Sequence, residues 1–122
     1  MEYLEIYKNR CEQLFEKKQA QKAKILQEYL YTHIVGTKIQ NIEITENVLK
    51  EAISKAKGCE HLTIIYIAKT ISKSKYAYFI KTSLDDLLIP IKEQLLQIEK
   101  NYEKERLKME NKFLENVNHL LF

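Results

Sequence analysis

The stretch whose reading decides the fold is Leu84–Leu120, LDDLLIPIKEQLLQIEKNYEKERLKMENKFLENVNHL. Taken in steps of three or four residues it gives Leu84, Leu88, Ile91, Leu95, Ile98, Tyr102, Arg106, Met109, Phe113, Val117 and Leu120. That is an apolar line at the 3.6-residue period of an α-helix, interrupted by Arg106, with Lys and Glu on the other faces. A continuous helix over this stretch is roughly 55 Å long, whereas a compact domain of this size is only about 30–35 Å across. Part of the line therefore needs a cover: another long helix, a second copy of the chain, or a partner.

Ser83 followed by Asp86 reads as a capping-box start for this helix, which is assigned to residues 84–122. Pro90 falls inside it and removes a backbone donor. The apolar line keeps its phase across Pro90, which predicts a kink there rather than a new helix beginning at the proline.

The cover is sought at the other end of the chain. Residues 1–35 lack Gly and Pro and carry Leu4, Tyr7, Cys11 and Leu14, then Ile25, Leu26, Tyr29 and Leu30, at helical spacing. Between these groups lies a polar waist, Glu16–Lys24, built of strong helix formers. The last helix has its own waist near Glu99–Lys108. If the two helices are antiparallel neighbours, the waists fall side by side.

The middle, residues 36–83, reads as a β-α-β-β unit. Gly36 ends the first helix, and Lys38–Ile44 reads as a short strand. Thr45 is a good N-cap for a helix over Glu46–Lys57, closed by Gly58. The run Leu62–Ala68 is β-branched and aromatic, as is Tyr76–Thr82 (with Ser72–Lys75 as the turn between), so residues 62–82 read as a hairpin. The expected fold is α+β: one domain over residues 1–122, with two long helices flanking this unit. A competing arrangement starts from Ile44–Ala52, which resembles the opening helix of a helix-turn-helix motif, with a second helix over Glu60–Ser72. The strand-like composition of Leu62–Ala68 weighs against it.

Charge is unevenly spread. Residues 1–35 carry a net +1, residues 36–83 a net +4 and residues 84–122 a net −2. Lys69, Lys73, Lys75 and Lys81, beside Tyr76 and Tyr78, form a candidate nucleic-acid surface, because cations neutralise phosphates and flat rings stack on bases. The plainer reading is that these lysines protect a sheet edge. The candidate interface residues are Ile98, Tyr102, Met109, Phe113, Val117, Leu120 and the apolar chain end, Phe122.

Catalysis finds little support. His33, His61 and His119 fall in three separate elements without a spaced carboxylate or cysteine partner. Cys59 and His61 lack the second pair that a zinc site needs, so neither metal nor cofactor is expected. The two distant cysteines and the lack of a leader or of an apolar run near 18 residues point to a reduced, cytoplasmic protein that does not span a membrane. The expected function is that of a small non-enzymatic interaction or regulatory protein, a homodimer through its long helices. The alternative is nucleic-acid binding by hairpin 62–82, as in a divergent winged-helix-type regulator from a mobile element. The Trp-free composition rich in Lys, Ile, Asn and Tyr suits such an AT-rich source.

Overall fold

The computed structural model describes residues 2–39, 41–72 and 77–121. Its elements are α1 (Glu2–His33), β1 (Lys38–Ile39), β2 (Ile42–Glu43), α2 (Glu46–Ala56), α3 (Glu60–Ile71), α4 (Ala77–Leu87) and α5 (Ile89–Leu121). The fold is mostly helical, which overturns the α+β expectation. The β-α-β-β unit shrinks to a two-residue antiparallel ladder pairing Lys38 with Glu43 and Ile39 with Ile42. Asn41 takes a left-handed conformation (φ 67°) in the turn of this ladder.

Residues 62–82 hold two helices in place of a hairpin. Leu62–Ala68 lies inside α3, and all of Tyr76–Thr82 that is described lies in α4. Composition misleads here because an apolar run with both faces filled suits a buried helix as well as a buried strand. What decides is the buried set. Thr63, Ile64, Ile67 and Ala68 follow one another at steps of one, three and one and form one helical face, whereas His61, Leu62, Lys69 and Thr70 are exposed. Thr63 is accommodated because its hydroxyl donates to Cys59 O at 2.7 Å, which satisfies a buried polar atom within the helix. The proposed turn residues 73–75 lie outside the described residues. The helix that the competing arrangement places at Glu60–Ser72 is α3.

Helix α2 forms where its caps put it. Thr45 Oγ1 accepts from Val48 N–H at 3.3 Å, and Lys57, left-handed at φ 51°, donates to Ile53 O. Gly58 follows at φ 87°, and the chain turns directly into α3.

Pro90 breaks the helix instead of kinking it: α4 ends at Leu87 and α5 begins at Ile89. Pro90 has no N–H for Asp86 O, and its fixed φ suits the first turn of a new helix. The Leu87 carbonyl accepts instead from the Tyr29 hydroxyl of α1. Ser83 is no cap either; it sits inside α4 and its hydroxyl donates to Phe79 O at 3.1 Å.

The core is assembled from all five helices. Leu26 and Leu30 of α1, Leu49 of α2, Ile67 of α3, Ile80 and Leu84 of α4 and Leu95 of α5 are each 0–1% exposed. Each such side chain contributes about 1.5–3 kcal/mol by leaving water. Burial stops abruptly along both long helices. No residue of α1 before Lys22, and none of α5 described beyond Ile98, is fully buried. The molecule is therefore a helical head from which the start of α1 and the end of α5 project as a two-helix arm, about 30 Å long.

Candidate interaction surface

The seam of the arm is built from the polar waists and a few rings. Lys22 Nζ lies 2.7 Å from Glu99 Oε1 and Lys18 Nζ 3.1 Å from Glu99 Oε2, while the Tyr102 hydroxyl donates to Gln21 Oε1 at 3.0 Å. Further out, Tyr7 stacks on Phe113 with centroids 4.8 Å apart. Residue numbers on α5 rise as those on α1 fall, so the two helices run antiparallel. The hydrogen bond from Lys22, followed by that from Lys18, holds the Glu99 carboxyl below the usual carboxylate range against the opposing effect of burial.

Arg106, the charge within the apolar line, is satisfied inside its own helix. Its guanidinium meets Glu103 Oε1 at 2.7 Å and Oε2 at 3.1 Å, and Glu110 Oε2 at 3.2 Å. This holds the Glu103 carboxyl low and raises Arg106 further. The arginine is half-buried, and a long apolar stem with a paired charge at its end suits that place in the line.

Most of the candidate interface residues are thereby occupied within the chain. Ile98 is 5% exposed in the core, Tyr102 and Phe113 engage α1, and Met109 and Val117 are half-buried. Leu120 is exposed, and Phe122 lies outside the described residues. On the nucleic-acid side, Lys69 is exposed at the end of α3, and Lys81 lies 3.4 Å from Asp85 in an ion pair along α4. Tyr78 is exposed and meets the Phe79 ring edge-on, whereas Lys73, Lys75 and Tyr76 lie outside the described residues. Of the four lysines, the described residues thus include Lys69, on α3, and Lys81, on the neighbouring α4.

A second line on α5 carries the exposed apolar surface instead. Ile89, Leu96, Leu107 and Leu114 are 58, 53, 45 and 49% exposed. Their spacings of seven, eleven and seven residues place them within about 20° of one meridian at 100° per residue. That meridian stands roughly 130° around the helix from the seam facing α1. Its signal was in the sequence: α5 has two apolar lines, and the longer one masks the shorter.

Among the described residues, no three His, Cys, Asp or Glu side chains gather as a metal site, and no helix is long and apolar enough to cross a membrane. No protein-family model, no curated protein and no solved structure matches the chain.

Proposed function

We propose that this chain is a small non-enzymatic interaction or regulatory protein of the cytoplasm, working as a homodimer through its long helices. One observation supports the reading above the others. After α1 has covered the seam, four large aliphatic side chains still stand in a line on the outer side of α5, about half exposed. Scattered surface leucines need no explanation, but a line of them along one helix has the form of a helix-docking face. The face runs about 38 Å from Ile89 to Leu114.

The experiment is sedimentation equilibrium of the wild type and of Leu96→Glu/Leu107→Glu. A dimeric wild type and a monomeric, fully helical variant are expected. A wild type that stays monomeric at a concentration on the order of 100 μM would overturn the reading. Nucleic-acid binding has a weaker footing, because Lys81 is engaged by Asp85 and the hairpin that was to carry the lysines is replaced by α3 and α4.

A further inference from the structure

The outer line of α5 is symmetric about its own midpoint. Ile89 and Leu114 are equally far from the point between Asn101 and Tyr102, and so are Leu96 and Leu107. The positions that share this face are Ile89, Glu93, Leu96, Lys100, Glu103, Leu107, Glu110 and Leu114, which alternate in steps of four and three. That alternation is the 3.5-residue repeat with which two helices pack along a common seam. The line toward α1, by contrast, follows the 3.6 period of a straight helix.

We infer that the occupant of this face is the α5 of a second copy, packed antiparallel about a two-fold axis between Asn101 and Tyr102, with Lys100 of each copy opposite Glu103 of the other. The inference rests on the homodimer reading above and adds its geometry. A two-fold axis at that point sets Ile89 against Leu114 and Leu96 against Leu107, so each large side chain meets another across the axis. At the centre it places Lys100 against Glu103 twice over. A parallel, in-register pair would match the same aliphatics, but it would oppose Lys100 to Lys100 and Glu103 to Glu103. Charge therefore selects the antiparallel form. Lys100 is exposed and has no ion-pair partner among the described residues. Glu103 already accepts from Arg106 through both oxygens, yet a carboxylate has lone pairs left for a further donor. Two layers oppose the scheme, since Glu93 of each copy faces Glu110 of the other, although Arg106 lies 3.2 Å from Glu110 within its own helix and offsets its charge.

The arrangement has a consequence for shape. Each arm tip, at Leu114, lies beside the Ile89 end of its neighbour, next to the α4–α5 junction. The two heads then sit at opposite ends of a shared four-helix shaft.

The test is a charge swap. Lys100→Glu and Glu103→Lys should each weaken the dimer about tenfold or more, since each creates two like-charge layers, and the double variant should restore wild-type affinity. Helicity and thermal midpoint, followed by circular dichroism, show whether each variant folds. In a Cys11→Ala/Cys59→Ala background, Lys100→Cys mixed with Glu103→Cys should yield the mixed disulfide, and Lys100→Cys alone should yield little. A dimer in which Lys100→Cys cross-links to itself, or in which the double variant stays as weak as the singles, overturns the antiparallel register and leaves the homodimer reading standing. A wild type that is monomeric overturns both.

Discussion

Gly58 packs directly on the main chain of Gln19. A Cβ at Gly58 would fall within 3.0 Å of Gln19 O, C and Cα, and the Gln19 side chain donates to Lys57 O at 3.1 Å. The turn between α2 and α3 is thus seated on α1 just before the point where α1 enters the core. Gly58→Ala meets both a clash with backbone that cannot step aside and a left-handed φ of 87°. Gly36, at φ 80° with nothing within 4 Å of its Cβ position, isolates the second effect. In urea denaturation Gly36→Ala should cost about 1–2 kcal/mol and Gly58→Ala about 3–4 kcal/mol. Equal losses would show that the seat on Gln19 contributes nothing.

Tyr29 bridges α1 to the helix break. Its hydroxyl donates to the Leu87 carbonyl, which in an unbroken helix would have accepted from Ile91 N–H; Ile91 N–H instead meets Leu88 O at 3.1 Å. Tyr29→Phe keeps the ring and removes this one bond, so it should destabilise by about 1 kcal/mol. It should also speed amide exchange at Leu88 and Ile91 by local opening of the junction. Unchanged exchange there would mean that Pro90 alone holds the break.

The long terminal helices could be read from the sequence because each carries a helical apolar line that resumes after its polar waist, and the waists mark where they meet: Lys18 and Lys22 reach Glu99, and Tyr102 reaches Gln21. The middle could not be read in the same way. Ile64, Ile65 and Ile67 favour a strand by intrinsic preference, but their fate is settled by contact with α2 and α4, which no local window contains. Pro90 was visible as a disturbance, yet choosing between kink and break required knowing that Tyr29 would take the Leu87 carbonyl. The outer line of α5 was hidden for a different reason. Until α1 is seen covering Tyr102 and Phe113, nothing marks Leu96 and Leu107 as the surface left over.

Tyr7 and Phe113 hold the outer arm together through a stack tilted by only 20°. With no fully buried residue this far from the head among the described residues, their pairing should govern how far the arm frays. A double-mutant cycle of Tyr7→Ala and Phe113→Ala should give a coupling of about 0.5–1.5 kcal/mol. Amides of the arm should exchange faster in each single variant while those of α3 are unaffected. Strict additivity of the two substitutions would show that the rings do not act as a pair.

Glu99 makes arm stability depend on acid. Its carboxyl lies below the usual value of 4.5 in the folded chain, chiefly because Lys22 donates to it, and then because Lys18 does. A carboxyl that gives up its proton more readily when folded adds stability above its unfolded value and loses that contribution as the pH falls through its folded value. Stability measured in urea should therefore decline between about pH 5 and about pH 3, and Glu99→Gln should flatten part of that decline. The flattening is only partial, because Glu103, held low by Arg106, follows the same sign. At neutral pH Glu99→Gln should cost about 1 kcal/mol, a modest figure because the Glu99 side chain is 40% exposed and water screens the pair. Lys22→Met should cost less, since its side chain is only 9% exposed and an apolar group of similar length suits that place as well as a desolvated cation. Parallel pH curves for wild type and Glu99→Gln would show that the waist contact contributes no pH-dependent stability.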